Sequence, residues 1–553
     1  MRTPREEAGV LIVGAGPTGL TAAMELSRLG VPVRIIDRAA APSTTSRALA
    51  VQARTLELME PRGVGADMVR LGNPARATAL YGRGRRLAAV RLDRVPSRFS
   101  YVLMLAQSET ERLLAEQLAT QGVHVERGTE FVSLTQDAGG VDAVLRDAGG
   151  ERELARCAYL IDASGAHSAV RHALDLPFTG RQLIQRYLLG DLYLDGAIPA
   201  DEMSIFLADD GFAALFPMAG RRFRLIATDP GPDTPAGTEP TLEDLQRVYD
   251  RVSHIPVRMR DLVWSSRFRI SSRHLATLRA GNVFFGGDAA HIHSPAGGQG
   301  MNTGIQDMVN LCWKLALVIG GRAAPDLLDT YEAERLPVVT HLVRTTERAT
   351  QLFNSTSPLV HRALSYLAPL ALGRDRVQAR AATTVGQVGV SYRGGPLAAP
   401  PASAGGRPPG DLHPGDLHPG DLHPGDRVPD LELTAGGRPA RLYQLLDLAG
   451  LTLLVTTPEP PAHVRDAFGP WSGLVTIHPV AVTSPAADAP AGDARIAAGL
   501  SREPSLLLLR PDGHLAAAAP ASRPGPVTGW LTRWCPPPAS AVRSAEAAHL
   551  GAS

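Results

Sequence analysis

The most constraining feature of the chain is a glycine pattern set between two short apolar runs near its start. The first run, residues 10–13, predicts a buried strand and leads directly into GxGxxG. Apolar side chains then recur at helical spacing as far as Gly30, which predicts a helix that ends there. A second run, residues 33–36, predicts another strand. This order predicts a βαβ unit with parallel strands.

The residue types in this unit suit a dinucleotide. Gly14 permits a tight turn, Gly16 lets the backbone approach a pyrophosphate, and Gly19 allows the helix to pack closely on the strand. Asp37 ends the second strand, where a carboxylate accepts a hydrogen bond from a ribose hydroxyl. The same candidate site includes three flanking residues: Pro17, Thr18 and Arg38. FAD and NAD share this fingerprint, and an ordinary βαβ turn is the alternative.

A second glycine-rich loop follows a predicted strand at residues 283–285. The loop starts at Gly286-Gly287-Asp288 and ends at Met301-Asn302, where a helix with one apolar face is predicted. The free amides and the dipole at a helix N-terminus favour a group that becomes negative. A reduced flavin is such a group.

The sequence "GDAAHIHSPAGGQGMNTGIQD" (residues 287–307), followed by "DTYEAERLPV" (residues 329–338), resembles the GD motif of class A flavoprotein monooxygenases. These are the para-hydroxybenzoate hydroxylase-like and phenol hydroxylase-type aromatic hydroxylases. The resemblance is strong over about residues 9–350. It implies FAD as cofactor, with its ADP half at the GxGxxG.

The resemblance also assigns roles to residues of the loop. It implies that Asp288 binds the ribityl chain and that Pro295 lies beside the reactive edge of the isoalloxazine ring. The amides of Met301 and Asn302 would hold the pyrimidine end, and the loop glycines Gly298 and Gly300 belong to the same cofactor-binding set.

Two further residues match FAD contacts of the family, Arg47 in "TSRALA" and Gln107 in "AQSETERLL". Gln107 precedes Ser108-x-x-Glu111, a pattern that predicts a capping box. Read alone, Gln107 would be a solvated residue before a helix.

The chain departs from the family in its middle motif, "YLIDASGAHSAVRHAL" (residues 159–174). Ser164 stands where the family carries an aspartate, and Asp162 stands two residues earlier, where glycine is usual. A hydroxyl can form hydrogen bonds but supplies no charge. We expect FAD binding to persist, whereas docking of the nicotinamide cofactor is placed in doubt. The alternative is a neutral variation in which Asp162 points into a turn.

Short alternating segments from residue 181 to residue 275 predict strands, and the resemblance implies that they form an antiparallel sheet that covers the substrate. The candidates for an aromatic pocket wall are Phe206, Phe212, Phe216 and Met218. Half of these side chains are expected to be plain core.

The repeat "GDLHPGDLHPGDLHPGD" (residues 410–426) follows a segment rich in Pro, Gly and Ala. Each of its histidines precedes a proline, which favours extended backbone and keeps the three rings apart. They can share a metal only if the Pro-Gly pairs turn the chain back. We interpret the repeat as a spacer, with surface chelation as the alternative and Gly425-Asp426 as the start of folded structure.

The predicted fold class is a multi-domain α/β (α+β) protein. It combines a Rossmann-like FAD-binding domain, an antiparallel-sheet substrate domain and a C-terminal thioredoxin-like domain. The last resembles that of phenol hydroxylases and polyketide-tailoring hydroxylases. It has no CxxC, and Cys535 stands alone, so a packing role is expected. The boundaries are 1–180 and 276–395 for the FAD-binding domain, 181–275 for the substrate domain, 396–424 for the linker and 425–553 for the C-terminal domain.

Bulk properties exclude several classes of function. The net charge is +1, from 56 basic and 55 acidic residues, which gives no reason to expect nucleic acid or a membrane surface as partner. The three scattered cysteines indicate neither a disulfide framework nor a metal site. No apolar run approaches the ~20 residues that span a bilayer. We expect a cytoplasmic protein, monomeric or homodimeric.

The resemblance implies a reaction that uses NADPH or NADH and O2 to hydroxylate a phenolic or polycyclic aromatic substrate through a flavin C4a-hydroperoxide. The sequence does not identify the base that deprotonates the phenol. Two alternatives stay open. One is a Baeyer–Villiger or antibiotic-inactivating reaction on the same scaffold, and the other is a flavoprotein that binds ligand without turnover.

Overall fold

The computed structural model describes residues 8–44, 48–209, 211–229, 239–294, 297–355, 357–398, 422–482 and 504–537. Its strands are β1 Ala8–Val13, β2 Val33–Asp37, β3 Ala50–Val51, β4 Asn73–Ala75, β5 Ala77–Gly82, β6 Arg85–Arg91, β7 Val102–Met104, β8 Glu126–Arg127, β9 Glu130–Asp137, β10 Gly140–Arg146, β11 Arg152–Asp162, β12 Phe178–Gly196, β13 Glu202–Ala208, β14 Gly211–Pro217, β15 Arg222–Thr228, β16 Val257–Leu275, β17 Arg279–Ala280, β18 Val283–Phe285, β19 His291–Ile292, β20 Glu432–Ala435, β21 Arg438–Arg441, β22 Leu451–Val455, β23 Val475–Val482, β24 Ser505–Leu509 and β25 Leu515–Pro520. Its α-helices are α1 Pro17–Arg28, α2 Ala53–Met59, α3 Gly65–Leu71, α4 Gln107–Thr120, α5 Ala169–Ala173, α6 Leu242–Ser253, α7 Gly300–Ile319, α8 Asp329–Phe353, α9 Pro358–Leu372, α10 Asp375–Val385, α11 Ala462–Phe468 and α12 Gly525–Trp534.

The first sheet is built on the βαβ unit. Its parallel strands run in the order β18-β11-β1-β2-β8, with β17 antiparallel at one edge and the β9–β10 hairpin extending β11. The centre of β1 is fully buried, as expected for a strand covered on both faces. Helix α1 packs against α7 and α4. The Rossmann-like part of the fold prediction is confirmed.

The second sheet has the order β19-β16-β12-β15-β14-β13-β5-β6 and is antiparallel except where β13 pairs with β5. Helix α6 packs on one of its faces. Two of its strands, β5 and β6, come from residues 77–91, inside the segment assigned to the FAD-binding domain. The sequence of these two strands does not indicate the sheet they join. The boundaries at residues 180 and 275 stay predictions.

The C-terminal sheet has the order β21-β20-β23-β22-β24-β25. The parallel pair β22–β23 is joined through α11, the hairpin β24–β25 adds antiparallel to β22, and α12 follows. This is a thioredoxin-like arrangement. Cys535 is fully buried just after α12, where its carbonyl accepts a hydrogen bond from Trp471 Nε1 at 2.7 Å.

The repeat lies mostly outside the described residues, which resume at Leu422. In its last unit, Gly425 adopts φ +90° and its amide donates to the Leu515 carbonyl at 2.7 Å. Asp426 is buried and accepts from Arg393 Nε at 2.6 Å. The last unit is therefore integrated into the folded structure.

Candidate active site

A cavity of about 520 Å³ lies where the first sheet meets the second. One side is formed by loops that follow the carboxyl ends of β1, β2, β11 and β18, the usual edge for ligands in an open α/β sheet. We call this side the glycine wall, and its members include Gly14, Gly16, Pro17, Thr18, Asp37, Ser164, Gly165, Asp288, Gly298, Gly300 and Met301. The opposite side is a face of the second sheet. We call it the apolar wall after its apolar side chains, which are Tyr187, Leu189, Met203, Ile205, Phe212, Ala214, Phe216, Ile226, Phe268 and Ile270.

The glycines of the first loop serve two different purposes. A Cβ on Gly14 would lie 2.4 Å from the Ala163 carbonyl oxygen, and one on Gly19 would lie 1.8 Å from the Gly14 carbonyl oxygen. These two glycines are therefore required by the packing of the chain itself. A Cβ on Gly16 would meet no described atom within 4 Å. Gly16 leaves open space at the N-terminus of α1, which fits a pyrophosphate.

Asp37 lies at the end of β2 on the cavity surface. Its carboxylate accepts hydrogen bonds from the amides of Ala15 and Ala39, both at 2.8 Å, and lies 3.6 Å from Arg127 Nη1. These contacts fix the carboxylate beside the first glycine loop. The neighbouring Arg38 is exposed and does not line the cavity. Arg47 lies outside the described residues.

The second glycine loop is pressed against the start of α1. Gly287 adopts φ +56°, and a Cβ on it would lie 2.4 Å from Thr18 Oγ1; the corresponding distance for Gly304 is 2.3 Å. Asp288 follows on the cavity surface. Pro295, expected beside the flavin edge, lies outside the described residues.

The loop ends at α7, which begins at Gly300. The first amides of a helix have no intrahelical acceptor, so the amides of Gly300, Met301 and Asn302 are available at the cavity end of α7. The Asn302 side chain is fully buried and forms hydrogen bonds with the backbone of neighbouring segments instead. Its Oδ1 accepts from the Gln52 amide at 2.8 Å, and its Nδ2 donates to the carbonyls of Ala50 at 2.8 Å and Gly298 at 3.0 Å.

Gln107 lines the cavity, but as the first residue of α4. Its Nε2 donates to Glu111 Oε1 at 2.7 Å. The capping box expected at Ser108 is wrong: the N-cap is Ala106, which has no side chain to cap the helix. Burial raises the pKa of Glu111.

The unusual middle motif folds onto its own aspartate. Asp162 is fully buried, and its Oδ1 accepts from the Ser164 amide at 3.1 Å and from Ser164 Oγ at 2.5 Å. Its Oδ2 accepts from Ser168 Oγ. Burial raises the pKa of Asp162, against the effect of these donors. Asp162 thus points into a turn, and the cavity receives Ser164 and the open space beside Gly165.

The apolar wall follows the two-residue alternation of its strands. On β14, Phe212 and Phe216 point into the cavity, as expected from the sequence. Phe206 does not line it: the ring is buried on the opposite face of β13, stacked on Tyr81 at 5.1 Å and edge-on to Tyr249 at 5.4 Å. Its neighbour Ile205 faces the cavity instead, because successive side chains of a strand point to opposite faces.

Met218 also lies elsewhere, buried in the core cluster of the FAD-binding part after β14 has ended. Sequence reasoning missed Tyr187, Ile205, Ile226 and Phe268 of the wall, and it missed Phe353 of α8, which lines the same cavity. Once the register of each strand relative to Phe212 is known, the two-residue alternation along the strand predicts which of its side chains face the cavity.

Two histidines of the second loop differ in their surroundings. His291 is buried and its Nε2 lies 2.7 Å from Asp307 Oδ2. His293 lines the cavity, and its Nδ1 lies 2.8 Å from the Ser294 carbonyl, which makes Nδ1 the protonated nitrogen. Burial lowers the pKa of His293 to about 4. Its Nε2 has no hydrogen-bond partner among the described residues and is left as an acceptor.

The described residues contain no group of three or more His, Cys, Asp or Glu side chains placed to hold a metal ion. None of their helices combines the length and apolarity that a membrane crossing requires.

The residues of the glycine wall fit FAD. Gly16 and Gly165 leave space that no described side chain fills, and two helix N-termini face the same cavity. Fold and site together define a flavoprotein with an apolar ligand surface facing its cofactor loops.

Comparisons with known proteins agree with this class. Residues 7–346 match the FAD binding domain family, and residues 421–538 match the aromatic-ring hydroxylase C-terminal family. The chain belongs to the FAD-dependent aromatic-ring hydroxylases. It is 39% identical over 70% of its length to 6-methylpretetramide 4-monooxygenase of Streptomyces rimosus, of which 70% is covered. It is 32% identical to a 12-dehydrotetracycline 5-monooxygenase/anhydrotetracycline 6-monooxygenase of Streptomyces rimosus, over 96% of this chain and 99% of the relative.

A solved structure, the anhydrotetracycline hydroxylase from Streptomyces rimosus, superposes with a TM-score of 0.76 at 30% identity, covering 96% of this chain and all of the other. The predicted family, fold class and FAD-dependent monooxygenase function are thereby confirmed.

Proposed function

We propose that the protein hydroxylates a polycyclic phenol of the polyketide type and that NADPH or NADH supplies the electrons. The relatives named above act on tetracycline-type molecules by their names, and this supports a multi-ring substrate here. We further propose a cytoplasmic location, since the three free cysteines are all buried and suit a reducing compartment.

The observation that carries the substrate class is the breadth of the apolar wall. Its side chains come from five adjacent strands, β16, β12, β15, β14 and β13. Since neighbouring strands lie roughly 4.8 Å apart, the wall is about 19 Å across. A single ring would cover a small part of such a surface, whereas a fused multi-ring system would bury most of it.

The glycine wall would hold FAD. We assign the pyrophosphate to the N-terminus of α1 at Gly16, a ribose hydroxyl to Asp37, the ribityl chain to Asp288 and the pyrimidine end to the first amides of α7. Bound FAD would supply the redox chemistry, accepting a hydride from NADPH or NADH and passing one oxygen atom of O2 to the ring. Desolvation between the two walls would keep water from that centre.

Two side chains are proposed to orient the substrate hydroxyl. His293 Nε2 can accept a hydrogen bond from it, because burial keeps the imidazole neutral. Tyr187 lies on the apolar wall, where burial raises its pKa to about 12 and its hydroxyl accepts from Asn354 Nδ2 at 2.8 Å. Tyr187 therefore stays protonated and can donate.

The test is consumption of NADPH and NADH by the FAD-loaded protein, with a panel of polycyclic phenols and the same ring systems without a hydroxyl group. We expect a polycyclic phenol to stimulate consumption and to gain one oxygen on a ring carbon, seen by mass spectrometry and product NMR. A smaller effect is expected from a single-ring phenol.

Two results would contradict the proposal. No stimulation by any aromatic compound would contradict hydroxylation. A product with its new oxygen inside a lactone would instead support the Baeyer–Villiger alternative.

A further inference from the structure

The C-terminal domain shares a buried interface with the FAD-binding part. Trp313 and Leu317 of α7 lie in one apolar cluster with Phe468, Leu508 and Trp530 of the C-terminal domain. Buried ion pairs cross the same interface. They are costly to desolvate, and removing one partner leaves an uncompensated charge. These ion pairs also connect to the second glycine loop, which indicates that they help to hold that loop in place.

The first set of ion pairs starts at Arg510, in the turn between β24 and β25. Its Nη1 donates to Glu334 Oε1 at 2.5 Å and its Nη2 to Glu334 Oε2 at 3.0 Å. Glu334 is on α8 and also accepts from Lys314 Nζ of α7 at 2.8 Å. All three side chains are at most 1% exposed. Burial raises the pKa of Glu334, but Arg510 and Lys314 outweigh it and lower the pKa to about 2.

Arg335, the residue after Glu334, connects these ion pairs to the second glycine loop. Arg335 Nε donates to Asp307 Oδ1 at 2.8 Å. Asp307 Oδ2 in turn accepts from the Gly287 amide at 3.1 Å and lies 2.7 Å from His291 Nε2. Arg510 is thus linked, through two adjacent residues of one helix, to the part of the loop that carries Asp288.

A second set reaches the other end of the same loop. Arg427 Nε donates to Glu57 Oε2 at 2.8 Å, and Arg54 Nη1 donates to Tyr443 Oη at 2.6 Å. Both Arg54 and Glu57 are on α2, which follows Gln52 directly. The Gln52 amide donates to Asn302 Oδ1, and Gln52 Nε2 donates to the Gly297 carbonyl at 2.8 Å.

We propose that Arg510 and Arg427 of the C-terminal domain are positioning residues for the flavin end of FAD. They fix α8 and α2 against the FAD-binding part, and those helices hold the two ends of the loop from Gly287 to Asn302. The C-terminal domain then stabilises the cofactor site from outside it. The inference rests on FAD binding and is independent of the substrate and of catalytic turnover.

The experiment compares two ligands on the full chain after its flavin has been removed. ADP probes the first glycine loop alone, whereas FAD also needs the second loop. Dissociation constants for both are measured by titration for the wild type, Arg510→Met and Arg427→Lys. The matched control is Arg533→Met, because Arg533 also joins the C-terminal domain to the FAD-binding part, through Asp326 at 2.6 Å, but the pair is exposed.

We expect Arg510→Met to raise the FAD dissociation constant about tenfold and Arg427→Lys to raise it about threefold, typical of residues that act through a packed network. The ADP constant should stay within about twofold in both. Arg533→Met should change neither. If Arg510→Met does not fold, Arg427→Lys carries the test, since it keeps the charge.

The proposal is overturned if FAD binding is unchanged in both variants, or if FAD and ADP weaken equally, which is the signature of a general loss of structure. Failure of hydroxylation with any substrate would leave these two dissociation constants, and hence the proposal, untouched.

Discussion

The two walls of the cavity present different chemistry to a ligand. The glycine wall offers backbone amides, open space and two helix N-termini, whereas the apolar wall offers side chains from five strands of the second sheet. Each segment of the glycine wall depends on residues that lack a side chain at fixed spacing within that segment. A side-chain surface depends on which face of each strand is turned inward. The separate segments of the first wall are therefore encoded locally, whereas the second wall depends on long-range register.

The largest effect is expected at Gly19, which lies behind the glycine wall where α1 packs on the first glycine loop. Gly19→Ala places a Cβ 1.8 Å from the Gly14 carbonyl oxygen, so the backbone must shift. We expect a loss of more than about 4 kcal/mol in the free energy of unfolding, the range of severe steric faults. Thermal unfolding of the flavin-free protein measures it.

Gly16→Ala is the matched change, since its Cβ enters open space. Its stability without flavin should equal that of the wild type, while the FAD dissociation constant should rise at least about tenfold, or ~1.4 kcal/mol. If Gly19→Ala and Gly16→Ala changed stability and FAD affinity to the same extent, glycines required for packing could not be distinguished from glycines required for the ligand.

The next effect separates the two faces of β13. Phe206→Ala removes a ring buried between Tyr81 and Tyr249 and should cost about 3–5 kcal/mol of stability. Affinity for an aromatic ligand should be unchanged in the folded fraction. Denaturant unfolding and ligand titration give the two quantities, and a selective loss of ligand affinity would place Phe206 in the wall after all.

Acid should affect the ion pairs behind the glycine wall. Burial raises the pKa of Asp307, but Arg335 and His291 lower it to about 2, and Glu334 is lowered to a similar value by Arg510 and Lys314. The unfolded chain therefore binds more protons than the folded chain between about pH 4.5 and pH 2. The stability from both carboxylates is present above that window and is lost as the pH falls through it. Unfolding free energies against pH should show this slope, and Glu334→Gln should flatten it.

The smallest effect is expected where the walls meet, at His293. Its pKa of about 4 keeps Nε2 unprotonated, so affinity for a phenol should be constant from about pH 6 to pH 8. His293→Phe should weaken the binding of a phenol by about 1 kcal/mol, the contribution of one neutral hydrogen bond. The binding of the same ring system without its hydroxyl should be unaffected. Equal weakening of both compounds would show that His293 contributes packing alone.

The same contrast explains how far the sequence predicts this molecule. The strand at residues 283–285, the glycine loops and the start of α7 follow from local pattern and family resemblance. Phe206 and Met218 are two of the four pocket candidates and lie in the core, because residue type does not determine the face of a strand. The strands β5 and β6 join the second sheet from a distant segment, and the network from Arg510 to Gly287 joins residues over 200 positions apart. Contacts between residues so far apart in the sequence produce no periodic pattern from which they could be predicted.

The most direct test of the two-wall account is Ile205→Trp, measured for FAD content and for the affinity of a polycyclic phenol in the same preparation. Ile205 is half-buried on the apolar wall, and a larger ring there would occupy ligand space. The account predicts full FAD content with a strongly weakened phenol affinity. Loss of FAD together with the phenol, or an unchanged phenol affinity, would contradict it.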